Sequence, residues 1–362
     1  MAKFSIAALL IVHGLIHVLG FAKAIDIGVL HQWTIVISRQ MGIWWLLAGC
    51  VFLTSAWLYL IKNEYWPFFA VIAVVLSQVI ILSSWHDSRL GTIPNILILA
   101  VALLSLGVFR FEAQYRRDVK QSLQPGKGKP IELFTEKDLQ PLPEPVQRYL
   151  RFAGVLDQPK VKNMRVVVTG QMRENGSRYF TFTTEQYNFF DEPTRLFFMK
   201  ATMRSFPVVA YCKCINGLAL RDRRYFGLIP FVQEIDPDMN QSEMRALFND
   251  MCLLAPASLV DKRIKWHPLD SDAVTATFTN HGVSVAATLN FNSQGQLLNF
   301  LSDDPVEGGD KKPHRFSTPI SSYKTIKGFN LFNQRESIWN DADEKVTDGT
   351  FTLADLSYNV TS

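Results

Sequence analysis

Four long apolar runs fill the first third of the chain, and short alternating runs fill most of the rest. The long runs lie near 4–22, 41–61, 65–84 and 93–111. A bilayer core takes about 20 apolar residues per helix, so these runs predict four transmembrane helices. From residue 163 on, the period changes to two. In 274–279 and 283–291 apolar residues take every second place, and Asn280-His281-Gly282 lies between them, which predicts a hairpin. Further strands are expected near 163–173, 178–190, 195–204, 207–215, 218–226, 296–302, 314–323, 331–340 and 349–359.

A helix interrupts the strands, with Asn240 or Ser242 as its cap and Met244, Leu247, Phe248 and Met251 as its apolar stripe. Ahead of the strands, Thr135-x-x-Asp138 reads as a capping box. Pro145 opens a short helix over 146–152, with Val146, Tyr149, Leu150 and Ala153 on one face. The expected fold is a four-helix membrane bundle followed by a mainly antiparallel β domain of α+β class. Three segments follow: a four-helix transmembrane domain over 1–111, a basic juxtamembrane segment and linker over 112–134, and a β-rich domain over 135–362. The linker carries Pro125-Gly126-Lys127-Gly128-Lys129-Pro130, a run of helix breakers.

Adjacent aromatic pairs stand at Phe189-Phe190, Phe197-Phe198 and Tyr225-Phe226. Neighbouring residues of a strand point to opposite faces, so parts of the sheet are apolar on both sides. The second face needs a cover, which a helix, a membrane or a ligand can supply.

Charge sharpens the division. Of the net +4, residues 1–129 carry +6 and the remainder −2. The β domain is therefore near neutral and lacks the basic footprint of a nucleic-acid binder. Lys3, Lys62, Arg110, Arg116, Arg117 and Lys120 flank one side of the four runs, and Lys23, Arg39 and Arg89 the other. Six against three predicts an N-in, C-in membrane protein with a cytoplasmic β domain. Reading the first run as a signal peptide, with Ala22-Lys23-Ala24 as its cleavage motif, leaves the downstream orientation unchanged. The four cysteines form no disulfide framework.

Polar residues within the apolar runs are functional candidates, because burying them in lipid is costly. His13 and His17 share one helical face at a spacing that can ligate a metal or a haem edge, or bond a neighbouring helix. Gln78 is expected to face the bundle interior. His86 and Asp87 follow the third run, as an interfacial loop or the mouth of a polar cavity. In the β domain Cys212-Lys213-Cys214 lacks a CxxC pair or an adjacent histidine, and reads as structural. No G-x-S-x-G, P-loop or H-E-x-x-H motif occurs, so no catalytic residue and no metal site are assigned.

Two resemblances add to this reading. The run His13-Gly14-Leu15-Ile16-His17-Val18-Leu19-Gly20-Phe21 resembles the first helix of DoxX-like four-helix membrane proteins. Ser77-Gln78, Trp85-His86-Asp87 and Gly91-Thr92-Ile93-Pro94-Asn95 resemble their later half. That resemblance implies a compact bundle and a loose link to quinone and redox partners. Leu142-Pro143-Glu144-Pro145-Val146-Gln147-Arg148-Tyr149-Leu150 resembles the opening of an uncharacterised bacterial domain family. Trp266, the 292–295 turn, Thr318-Pro319-Ile320-Ser321-Ser322-Tyr323 with Gly328, and Trp339 follow in compatible order. The domain is similar to LolA-like lipoprotein-carrier half-barrels, which implies a concave sheet able to hold acyl chains.

The leading expectation is a membrane-anchored binding protein for a lipid or other hydrophobic molecule, with the bilayer as its second partner and no cofactor. Phe182, Tyr187, Phe198, Tyr211, Arg221, Phe278 and Trp339 are its candidate ligand-binding residues. Two alternatives stand beside it: a haem- or quinone-linked membrane protein using His13 and His17, and a structural or interaction module without a ligand.

Overall fold

In the computed structural model the described residues are 2–27, 37–124, 132–174, 178–235, 237–305, 313–340 and 345–361. The linker run from Pro125 to Pro130 lies outside them. The chain forms two compact units, one of residues 1–111 with 226–228, the other of 112–225 with 229–362.

The first unit is built of α1 (Ala2–Ala24), α2 (Arg39–Leu60), α3 (Trp66–Ser83), the one-turn α4 (Trp85–Ser88) and the first part of α5 (Thr92–Leu123). Four of its helical stretches are long and apolar enough to cross a membrane. Their burial is one-sided. Small residues such as Ala48, Ala70, Ala73 and Ala102 are fully buried, while Ile43, Trp57, Val79, Leu82 and Leu90 are among the exposed residues. On α1 the buried stripe is Ala7, Leu10, His13, Gly14, His17 and Gly20, spaced for a single helical face. Gly20 is required there, since a β-carbon would sit 2.0 Å from the Trp45 ring. Ser38 caps α2 by accepting from the Met41 N–H, as an N-cap serine should.

The second unit opens with α6 (Glu136–Leu139) and α7 (Glu144–Ala153). The capping box forms, with the Thr135 N–H and hydroxyl both on Asp138 Oδ2 at 2.8 Å. The predicted stripe Val146, Tyr149, Leu150, Ala153 is buried, and α7 ends on Gly154 in the left-handed conformation.

Fourteen strands follow in one antiparallel sheet, among the described residues. They are β1 (Asn163–Glu174), β2 (Arg178–Phe189), β3 (Thr194–Met203), β4 (Phe206–Ile215), β5 (Leu218–Tyr225) and β6 (Ile229–Glu234). After the helix α8 (Pro237–Leu254) come β7 (Ile264–Pro268), β8 (Ala273–Asn280), β9 (Val283–Phe291), β10 (Leu297–Pro305), β11 (Pro313–Ser317), β12 (Ile320–Ile326), β13 (Phe329–Asn340) and β14 (Lys345–Tyr358). The order is β6-β5-β4-β3-β2-β1-β14-β13-β11-β10-β9-β8-β7, with β12 also on β13. Two meanders thus meet where β1 pairs with β14.

Several details depart from the sequence expectations. The apolar run at 228–231 includes the start of the edge strand β6, where Pro230 is tolerated because an edge needs fewer ladder donors. The expected strand at 314–323 is broken at Thr318-Pro319, and both halves pair with β13. Helix α8 starts at Pro237 rather than at Asn240 or Ser242, since proline suits a first helical position. Asn240 instead accepts the Ala219 N–H at 2.7 Å.

Helix α8 touches β3, β4 and β5 on one side and β9, β10 and β13 on the other. Nine strand steps separate β5 from β9, about 43 Å in a flat sheet, whereas an 18-residue helix is about 27 Å long. The sheet must therefore curl round α8. Phe248 of α8 stacks on Phe278 and meets Phe300 edge-on, with centroids 5.6 and 5.7 Å apart. All three are fully buried, and each contributes on the order of 2–3 kcal/mol by leaving water.

Candidate functional site

Two places gather polar side chains where burial makes them expensive. The first lies inside the helical unit. His13 Nε2 donates to Asn95 Oδ1 at 2.9 Å, and Asn95 Nδ2 donates to Ser77 Oγ at 2.9 Å and to Gln78 Oε1 at 3.1 Å. Gln78 in turn donates to Thr92 Oγ1 at 3.2 Å. Ser77 Oγ lies 2.8 Å from His17 Nε2. His17 Nδ1 is buried without a hydrogen-bond partner. Phe52 stacks on the His17 ring at 5.6 Å and Trp45 lies 5.0 Å from it.

This chain of polar groups ties α1, α3 and α5 together. Both histidine Nε2 atoms are engaged by neighbouring side chains, and His17 Nδ1 is not. Among the described residues no three His, Cys, Asp or Glu groups are placed to hold an ion.

The second place is the inner face of the curled sheet. Arg195 on β3 donates from Nη1 to Glu243 at 2.6 Å and from Nε to Asp250 at 3.0 Å, both on α8. Asp250 Oδ2 also accepts from Gln186 Nε2 at 2.6 Å and Asn188 Nδ2 at 3.1 Å. These five side chains are buried. They fix α8 to β2 and β3. The adjoining thiols of Cys212 and Cys214 are pushed up to about 11, by burial first and by Glu243 second. They stay protonated at neutral pH, as structural cysteines do.

Beyond this clamp the inner face carries a second apolar cluster, which meets the main core at Phe351. Phe182, Met199 and Ala210 are its buried centre. Met172, Phe180, Phe197, Ala201 and Phe351 pack round them and stay partly exposed. A cleft of about 250 Å³ lined by residues 181–183 and 200–202 lies at the same strands, with Thr181, Thr183, Lys200 and Thr202 on the opposite, outer face.

Residues 132–351 match a family of unknown function, DUF6544. The chain belongs to this family. No curated protein matches it significantly. The matched segment takes in the whole of α6, α7, α8 and β1–β13, so the clamp and the inner-face cluster lie in the DUF6544 region, whereas the histidine network lies before it.

In this DUF6544 domain the sequence-selected residues fall in separate places. Phe182 belongs to the inner-face cluster and meets Phe351 at 5.4 Å. Arg221 is also on the inner face, bonded to Glu234 at 3.1 Å. Trp339 packs on Phe316 at 5.1 Å, with the Arg245 guanidinium 5.0 Å from its ring. Phe278 is in the closed core under α8. Tyr187, Phe198 and Tyr211 are on the outer face. There the α5 segment from Glu112 on, which belongs to the same unit, covers them. Tyr115 stacks on Phe198 at 5.2 Å and lies 5.6 Å from Tyr211. Asp118 accepts from the Tyr211 hydroxyl at 2.6 Å and Lys213 at 2.9 Å. Burial, and then that carboxylate, raise the Tyr211 phenol far above its ordinary value. The cover that the paired aromatics demanded at this place is a helix.

His13, His17 and Gln78 meet in the polar network. His86 and Asp87 do not join it; they form an exposed pair 3.3 Å apart on α4. Sequence reasoning missed Ser77, Thr92 and Asn95 as site residues, although a polar residue within an apolar run was the signal. It also missed Arg195, Glu243 and Asp250, for which spacing alone carries no signal.

Proposed function

We propose that this DUF6544 protein is an integral protein of the inner membrane, N-in and C-in, that binds a lipid or other hydrophobic molecule on the inner face of its curled sheet. The observation that carries the reading is the cluster round Phe182. It meets the filled core at Phe351, and its rim of Phe180, Phe197 and Phe351 is only partly covered by described residues. Aromatic walls on a concave surface are what a hydrophobic ligand needs. The likeness to LolA-like half-barrels supports the same class of ligand. The DoxX-like helices would supply the anchor.

The test is photo-crosslinking of the full-length protein in neutral detergent with an acyl chain bearing a diazirine. Label is expected on peptides containing residues 180–182, 197–201 and 351. Label confined to α1–α5 would sink the reading. A second reading has one observation of its own, the unpartnered Nδ1 of His17, which could meet a carbonyl of a quinone-like molecule. In the same design, with a quinone-headed probe, that reading expects label on α1 around His17.

A further inference from the structure

We infer that the inner face takes an amphiphile whose polar end is an acid, a carboxylate or a phosphate, with Arg335 as its counter-ion. The inference rests on the binding reading above and adds the charge of the ligand to it. Arg335 faces Phe351 across the β13–β14 register. Its guanidinium lies 4.2 Å from the Phe351 centroid and 5.6 Å from that of Phe332. It is half-buried and makes no hydrogen bond or ion pair among the described residues.

Of the other inner-face arginines, Arg195 holds Glu243 and Asp250 and Arg221 holds Glu234, whereas Arg223, opposite Ala210 on β5, has no oxygen partner among the described residues. Asp250 acts on Arg335 only through its field, since its Oδ2 already accepts from Gln186, Asn188 and Arg195. Burial pulls the Arg335 guanidinium down to about 10, with Asp250 opposing and Arg195 adding, so it is still charged at neutral pH.

Stacking on a ring satisfies the flat face of a guanidinium and leaves its in-plane N–H donors unmade. A carboxylate or phosphate meets those donors in pairs. Phe351 also touches Phe182, so the unpaired cation and the apolar cluster are contiguous. Cation and apolar wall side by side match the head and the chain of one acidic amphiphile. A neutral amphiphile would cover the same guanidinium without pairing it.

The test uses the full-length chain in neutral detergent with three diazirine probes of equal chain length: a fatty acid, the matching fatty alcohol and the matching lysophosphatidic acid. Both acids should label the 180–182 and 351 peptides about tenfold more than the alcohol, the ratio that about 1.4 kcal/mol of charge-assisted pairing gives. Arg335→Met should lower acid labelling to the alcohol level and leave the alcohol unchanged, which also reports that the face is intact. Arg335→Lys should keep the acid preference. Equal labelling by acid and alcohol in the unaltered protein, or an acid preference that survives Arg335→Met, overturns the charge inference and leaves the binding reading standing. Displacement of the acids by millimolar inorganic phosphate would mark a site for a bare anion and overturn the amphiphile. If no probe labels the sheet, the binding reading itself fails and the inference with it.

Discussion

Asp138 accepts from the Thr135 N–H and hydroxyl, and it pairs with Lys160 at 2.9 Å. Desolvation pushes its pKa up, but the bonds from Lys160 and Thr135 win, and the net shift is downward from 3.8. A carboxyl depressed in the folded state adds stability that is present above its unfolded pKa and lost as pH falls through the folded one. Asp138→Asn is therefore expected to lower stability at pH 7 by about 1 kcal/mol, the usual worth of such a cap. The deficit should shrink below pH 3.8. Thermal unfolding at pH 7 and pH 3 measures both; an equal deficit at the two values would mean the carboxylate charge contributes nothing. The same residue shows how legible local structure is. The box was readable because both partners stand three residues apart in one segment, and its chemistry needs nothing from the rest of the fold.

Helix α8 is the opposite case. Its apolar stripe was readable from Met244, Leu247, Phe248 and Met251, but its polar attachment was not. Arg195 stands in a strand between Thr194 and Leu196, and Glu243 and Asp250 stand among helix residues that pass for a solvated face. Only the fold brings them together across some fifty residues of chain. For the same reason Ser77 and Asn95 could not be named as partners of His13 and His17: spacing along the chain does not say which helices pack together. The strands were readable wherever one face is buried, as in β8 and β9, because burial enforces the period of two. The edge strand β6 escaped because no partner covers its outer side. The Arg195 clamp has a measurable weight. Arg195→Met leaves two buried carboxylates without their cation, which is expected to cost about 3–5 kcal/mol. Adding Glu243→Gln and Asp250→Asn should recover part of that loss, because the stranded charges go. Chemical unfolding followed by tryptophan fluorescence reads the difference; a single variant as stable as the parent would show that the clamp is incidental.

At the scale of the whole chain, the functional boundary of the β unit is not where the linker lies. The breaker run at 125–130 and the family match from residue 132 both invite a cut there. Yet the unit itself begins at Glu112, ahead of the linker. From that segment Tyr115 is buried against Phe198 and Tyr211, Glu112 pairs with Lys200 at 2.6 Å, and Asp118 holds Tyr211 and Lys213. A protein of residues 132–362 would expose the Phe198 and Tyr211 rings and strand the Lys213 ammonium, all on the outer face. A protein of residues 112–362 would keep them covered. The longer one is expected to be monodisperse and to melt several degrees higher. The shorter one should bind an apolar dye such as ANS and aggregate, since exposed apolar patches of that kind drive association. Tyr115→Asp in the longer protein should reproduce the behaviour of the shorter one, because it buries a charge against the two rings. Equal melting temperatures and equal dye binding for 112–362 and 132–362 would show that the α5 segment rests on the sheet without stabilising it. The outer-face aromatics would then be free to take another cover, and the ligand sought on the inner face would have a second place to bind.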